Sequence, residues 1–264
     1  MDTAPRPDLA RVAAMIGEPA RAAMLEALLG GQALPAGELA RRAGVRPSTA
    51  SEHLARLVEN GLVVRRVSGR HRYYALADAD VAAALEALAR IAPPARPGIG
   101  PVPERVSRTG RVGEEGKSPA EQALRFARTC YDHLAGTLGV LLTDTLLEKG
   151  FIAGAGFEVT TGGEAWLRSL DIDVDALRRA RRALSRPCLD WSERRDHLAG
   201  AVGAAIAGAL IDRGWLVRID GTRALRLTVR GRDGLYRSLG LEVEPPLDLY
   251  ARIVSAPGRR PTPP

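Results

Sequence analysis

Apolar residues recur at helical spacing through the first third of the chain. Ala20, Ala23, Met24, Ala27 and Leu28 predict a helix that opens at Pro19 and ends at Gly30-Gly31. Asp8 is placed to cap an earlier helix running to about Ile16. Leu39, Ala40 and Ala43 predict a short helix stopped by Gly44, a residue that takes the left-handed cap conformation at little cost. Pro47 suits the first turn of the next helix, where its missing N–H costs nothing. There Ala50, Leu54, Leu57 and Val58 form an inward stripe, and Gly61 closes the helix. The period then changes. Leu62–Val67 and Arg70–Leu76 read as strands joined at Ser68-Gly69, a hairpin signal. Asp78 or Asp80 caps a further helix through Ile91, with Val81, Ala84, Leu85, Leu88 and Ile91 as a narrow apolar stripe.

A helix-turn-helix followed by a charged hairpin is a winged helix. Its second helix has the polar face needed to lie in a major groove and touch base edges. That face carries Ser48, Thr49, Ser51, Glu52, His53 and Arg56, with Arg46 in the turn before it and Arg66, Arg70, His71 and Arg72 on the hairpin. Between Glu38 and Leu76 stand eight arginines and three glutamates. This excess suits a surface that faces phosphates, whose oxygens arginine bonds in a fork. The partner expected is double-stranded operator DNA.

Pro93–Lys117 is rich in proline, glycine and charge and reads as a linker. It ends at Ser118-Pro119-Ala120-Glu121, a capping-box signature that opens a second domain. That domain repeats itself. His133–Ile152 reads HLAGTLGVLLTDTLLEKGFI and His197–Leu216 reads HLAGAVGAAIAGALIDRGWL. Each is read as a helix, followed by a short extended run, a Thr-x-x-Gly turn (Thr160 to Gly163, Thr228 to Gly231) and a short helix. Ala135, Gly136 and Gly139, matched by Ala199, Gly200 and Gly203, are small residues that would let two helices approach at a pseudo-two-fold axis. The expected fold class is α+β, mainly helical: an N-terminal winged helix-turn-helix plus a C-terminal domain of two similar α+β halves. The boundaries read 1–92 for the DNA-binding and dimerisation domain, 93–117 for the linker, 118–250 for the duplicated domain (halves 118–185 and 186–250), and 251–264 for a tail.

A second repetition lies inside the first. Cys130 stands beside Asp132 and His133, and Cys188 beside Asp190 with His197 following. Two-fold packing would gather both cysteines and both histidines. Two thiolates and two imidazoles suit zinc or another soft divalent metal. The same group suits a polar pocket for a small-molecule effector, a thiol activated by a nearby His or Arg, or plain core packing, since buried cysteine is common.

The first 92 residues resemble the ArsR/SmtB family of winged-helix transcription factors. Met15-Ile16-Gly17-Glu18-Pro19-Ala20-Arg21 and Leu25-Glu26-Ala27-Leu28 resemble that family's opening helices; Ser51-Glu52-His53-Leu54 and Gly69-Arg70-His71-Arg72-Tyr73-Tyr74 resemble its reading helix and wing. The stretches Arg128–Gly136 and Cys188–Arg195 resemble the carboxy-terminal half of the family's long, two-domain members. The resemblance implies a homodimer in which Val81, Leu85, Leu88 and Ile91 meet their copies, helped by the first helix. This chain departs from the metal-sensing relatives in two places. Leu34–Leu39 holds no Cys-x-Cys, and Asp78–Ile91 holds no histidine. Any sensing is therefore expected from the second domain.

Bulk properties agree with this reading. The chain has 264 residues, 45% hydrophobic content, a net charge of +7 and, at 4% aromatics, cores built from Ala, Leu and Val. Lysine occurs only at Lys117 and Lys149, so arginine carries the positive charge. No apolar run reaches the ~18 residues of a membrane span, and no secretory signal is visible. Two cysteines 58 residues apart make no disulfide framework. The expectation is a cytoplasmic, non-enzymatic repressor that senses a signal, with no membrane partner. The competing expectation is a constitutive or architectural DNA-binding protein whose second domain only reinforces the dimer.

Overall fold

The computed structural model describes residues 7–68, 71–92 and 119–245. Arg70, the Ser68-Gly69 turn, the segment read as a linker, the Ser118 cap and the tail lie at least partly outside those residues. The chain divides into two compact units, Met1–Arg108 and Thr109–Pro264.

The first unit runs α1 (Leu9–Ile16), α2 (Pro19–Leu28), β1 (Leu34–Pro35), α3 (Ala36–Arg42), α4 (Pro47–Glu59), β2 (Val63–Ser68), β3 (His71–Leu76) and α5 (Ala79–Ile91). Its helix starts follow from polar caps. Asp8 accepts from the Arg11 N–H at 3.0 Å, Glu18 from the Arg21 N–H at 2.8 Å, and Asp78 from the Val81 N–H at 2.9 Å, each satisfying a first-turn donor. The core is built from Met24, Leu25, Leu28, Leu39, Leu54 and Leu57, with Val63 and Leu76 closing it from the sheet. That antiparallel sheet has the order β1-β3-β2.

Three details differ from the pattern reading. Val58 is 38% exposed while Leu57 is fully buried, because neighbours on a helix point about 100° apart. Leu25, not Ala23, joins Met24 inside. The two-residue strand β1 pairs Leu34 with Tyr74 and gives the wing a third strand.

The second unit runs α6 (Pro119–Phe126), β4 (Arg128–Cys130), β5 (His133–Ala135), α7 (Thr137–Glu148), β6 (Ile152–Ala153), β7 (Glu158–Val159), α8 (Thr161–Ser169), α9 (Val174–Arg178), β8 (Arg186–Leu189), β9 (Asp196–Ala199), α10 (Gly200–Asp212), β10 (Leu216–Arg218), β11 (Leu225–Leu227) and α11 (Val229–Leu239). The order hairpin, helix, hairpin, helix therefore occurs twice. Thr160 and Thr228 cap α8 and α11 by accepting from the Gly163 and Gly231 N–H groups at 3.1 and 2.9 Å.

The two histidine-led segments are not helices throughout, as their apolar pattern predicts. His133–Ala135 and His197–Ala199 are strands, and each helix starts at a backbone reversal, α7 just after Gly136 (φ +82°) and α10 at Gly200 (φ +88°). The small residues also serve a different contact. A Cβ on Gly139 or Gly203 would sit 2.7 or 2.4 Å from the carbonyl oxygen of Leu134 or Leu198, so these glycines let each helix press onto strand backbone rather than onto the other helix. The halves interlock crosswise: α7 packs on β9 and α10 on β5. The Leu198 N–H donates to Thr143 Oγ1 at 2.8 Å across this crossing. Leu138, Leu142, Val202 and Ile206 belong to one shared core beneath.

Candidate functional site

In the second unit the two hairpins bring six sequence-distant residues to one place. In the first, Tyr131 and Asp132 form a two-residue turn, with Tyr131 at φ 60°, and the register sets Cys130 opposite His133. In the second, Cys188 stands opposite His197. All four side chains are buried, and their ligating atoms lie within 4.8 Å of one another. The Cys130 and Cys188 Sγ atoms are 3.9 Å apart, and the His133 and His197 Nε2 atoms 3.1 Å apart.

The carboxylates stand behind the rings. Asp132 Oδ1 is 3.3 Å from His133 Nδ1, and Asp190 Oδ2 is 3.6 Å from His197 Nδ1. Each carboxylate is in turn held by an arginine distant in sequence, Asp190 from the other half and Asp132 from its own. Arg182 pairs with Asp132 at 2.6 Å, and Arg128 with Asp190 at 2.8 Å. The second pair is almost wholly enclosed, with side chains 1% and 0% exposed. Asp190 also accepts from the Gly136 N–H at 2.7 Å and from the Ser192 hydroxyl at 2.7 Å. The Arg128 guanidinium lies over the Trp191 ring, 4.5 Å from its centroid. Arg128 and Arg182 carry no local signal of this role in the sequence; their carboxylate partners are 62 and 50 residues away.

The charges follow from these contacts. Burial works to raise the Asp190 carboxyl, but Arg128, Gly136 and Ser192 outweigh it and hold the group well below the usual carboxylate range. Asp132 is likewise lowered; burial opposes ionisation, and His133 and Arg182 overcome it. Hydrogen bonding from Cys130 depresses the Cys188 thiol to about 2, against burial and with help from His133 and His197. Burial disfavours a charged His133, yet Asp132 and Cys188 raise it above the ordinary imidazole value. A thiolate among N–H donors is competent both to ligate a soft metal and to act as a nucleophile. A cavity lined by Leu134, Thr143, Leu198 and Ile206 among others has a volume of about 10 Å³, room for a water and not for an organic ligand.

In the first unit, α4 exposes Arg46, Ser48, Ser51, Glu52 and Arg56 and half-exposes Thr49. On the wing, Arg66 and Arg72 are exposed. Arg70 and the His71 side chain lie outside the described residues. His53 departs from the groove-facing set. Its Nδ1 sits 3.3 Å from Arg21 and 3.7 Å from Glu18, and its side chain is 15% exposed, so it braces α4 against α2. Along α5, Leu88 and Ile91 are 42% and 79% exposed, and Val81 and Leu85 half-buried; Ala82 and Glu86 are the residues that face the unit's own core. On α1, Leu9 is 77% exposed. No helix among the described residues is long and apolar enough to cross a membrane.

Comparison with known proteins gives a consistent picture. The profile of a family described as a helix-turn-helix domain matches residues 16–66. An uncharacterized HTH-type transcriptional regulator, YdfF of Bacillus subtilis, is 39% identical over 239 residues, covering 90% of this chain and 99% of its own. The HTH-type transcriptional regulator CmtR of Mycobacterium bovis is 42% identical over 83 residues, 31% of this chain and 70% of that one. Among solved structures, HlyU from Vibrio cholerae is 32% identical, with 31% of this chain and 87% of that one covered and a TM-score of 0.29.

Proposed function

The chain belongs to the ArsR/SmtB-type winged helix-turn-helix transcriptional regulators, and from that premise we propose that it is a dimeric repressor, released from its operator by a signal received in the carboxy-terminal unit. The observation that carries the reading is the outer face of α4. Thirteen residues of helix, about 20 Å long, present short hydrogen-bonding side chains toward solvent, flanked by Arg46 and Arg56. A major groove about 12 Å wide admits such a helix. Ser48, Thr49, Ser51 and Glu52 then meet base edges, while Arg46, Arg56, Arg66 and Arg72 meet phosphates.

Dimerisation in this reading uses α5 and α1, whose outer apolar residues Leu88, Ile91 and Leu9 are exposed. Two copies joined there space two reading helices about 34 Å apart, one turn of DNA. Repression requires that the signal prefer one state of the dimer by about 1–3 kcal/mol. The carboxy-terminal unit is the seat of that preference in our reading, because Leu34–Leu39 lacks the Cys-x-Cys and Asp78–Ile91 the histidine of the metal-sensing short family members. The protein works where DNA is, in the cytoplasm.

A gel shift with the full chain and a duplex from its own upstream region tests this. The retarded band is expected with the native duplex, and is expected to disappear under one of two treatments, a divalent metal or a thiol oxidant. A band unchanged by either favours constitutive binding, with the second unit only reinforcing the dimer.

A further inference from the structure

We propose that Cys130, His133, Cys188 and His197 are the four ligands of one soft divalent cation of the zinc class, which clamps the two hairpins of the carboxy-terminal unit together. The inference deepens the reading of that unit as the regulated part, but it rests on no DNA contact.

Geometry carries it first. A tetrahedral ion with metal–sulfur bonds of about 2.3 Å and metal–nitrogen bonds of about 2.05 Å has edges of about 3.8 Å between sulfurs and about 3.3 Å between nitrogens. The two Sγ atoms are 3.9 Å apart and the two Nε2 atoms 3.1 Å apart. The four atoms thus already span a polyhedron of the right size.

The placement of the two rings points the same way. With Asp132 Oδ1 3.3 Å from its Nδ1, the His133 ring is set to keep the proton there and to turn Nε2 inward, whereas Asp190 Oδ2, 3.6 Å from His197 Nδ1, is beyond hydrogen-bond reach and leaves that nitrogen without a hydrogen bond among the described residues. The two Nε2 atoms face each other at 3.1 Å, a separation that one bridging tetrahedral cation would satisfy. A carboxylate stands behind an imidazole in each half, at 3.3 Å for His133 and 3.6 Å for His197.

Burial separates this from a redox pair. Reactive thiols sit in partly exposed surroundings, whereas Cys130 and Cys188 are 3% and 9% exposed. Four protein ligands leave no open coordination position, which is the character of a structural rather than a catalytic site. The ligands come in pairs from β4–β5 and β8–β9, so the ion ties together strands more than fifty residues apart in the chain. This is why the spacing matches no contiguous zinc motif.

The test uses the full chain, stripped with chelator under reductant and titrated with zinc chloride and then with cobalt chloride. One zinc per chain is expected, with a raised melting temperature. Cobalt is expected to give the intense visible band of a tetrahedral ion together with thiolate charge transfer. Cys188→Ser abolishes the charge transfer from one sulfur. Asp132→Asn, at a side chain 29% exposed, keeps the fold and weakens zinc by about 10–100-fold. Substoichiometric zinc, a pale octahedral cobalt spectrum, or unchanged affinity in Asp132→Asn overturns the proposal. So does conversion of both thiols to a disulfide by mild oxidant in a chain that takes up no zinc. The same preparation is assayed on duplex DNA. A chain that binds zinc but no duplex overturns only the regulator reading; one that binds duplex but no zinc overturns only this site.

Discussion

His133 and His197 face each other across the two halves of the carboxy-terminal unit, with Nε2 atoms 3.1 Å apart and rings stacked at 5.1 Å between centroids. Neither residue reaches this position through its neighbours in sequence. Each is delivered by a short hairpin, and the hairpins meet because each lies under the other half's helix.

The enclosed Arg128–Asp190 pair holds that meeting in place. Removing one partner leaves the other buried and uncompensated. Asp190→Ala is expected to cost about 3–5 kcal/mol in urea unfolding of the carboxy-terminal unit. An apolar double replacement, Arg128→Met with Asp190→Leu, is expected to recover much of that loss. A loss under 1 kcal/mol for Asp190→Ala would contradict the role.

Acid should act on the amino-terminal unit through Glu18. Burial works to raise this carboxyl, but the Arg21 and Ala20 N–H groups and the charges of His53 and Arg21 lower it below its ordinary value. A lowered folded-state value means that the contribution is present above the unfolded value, about 4.3, and fades as pH falls through the folded one. The unit's urea midpoint is expected to drop below about pH 4.3, and less steeply in Glu18→Gln. At neutral pH, Glu18→Ala is expected to cost about 1 kcal/mol as a lost helix cap.

On the DNA side, α4 and the wing should separate by kind of effect. Arg66→Ala is expected to weaken every duplex alike and to lower the salt slope by about 1. Glu52→Ala is expected to change sequence preference instead, by about 1–3 kcal/mol at the base it meets. Both side chains are exposed, so melting temperatures should stay near wild type. Competition binding against a panel of single-base variants reads the difference; identical profiles for the two variants would contradict the assignment.

Leu88→Glu with Ile91→Glu tests the dimer. These residues are 42% and 79% exposed, so the fold of one chain should survive. Sedimentation is expected to show a shift from dimer to monomer, with DNA affinity falling as the two half-sites are no longer read together. An unchanged dimer would place the contact elsewhere.

Much of the amino-terminal unit was legible because its signals are local. Asp8, Asp78, Pro19 and Pro47 mark helix starts through their own chemistry, and Ala50, Leu54 and Leu57 mark a face through spacing alone. The strand β1 was not, since two residues carry no period. His53 looked outward by spacing, and only the fold shows Arg21 and Glu18 turning it inward.

In the carboxy-terminal unit, repetition revealed which residues correspond. It could not reveal that His-Leu-Ala is strand and not helix, because three residues are too few to show a period. The deciding feature is the left-handed backbone at Gly136 and Gly200, where the chain turns sharply before each helix. The pairing of Arg128 and Arg182 was illegible for a simpler reason: pairing over fifty or more residues leaves no local pattern.

The claim on which the whole account depends is that the amino-terminal unit binds duplex DNA largely through phosphates. Fluorescence anisotropy of a labelled upstream duplex, titrated with the full chain across a series of salt concentrations, measures it directly. The account predicts a log affinity that falls linearly with log salt, with a slope of several units as counterions are released. No affinity for any duplex at low salt, or an affinity indifferent to salt, would contradict it.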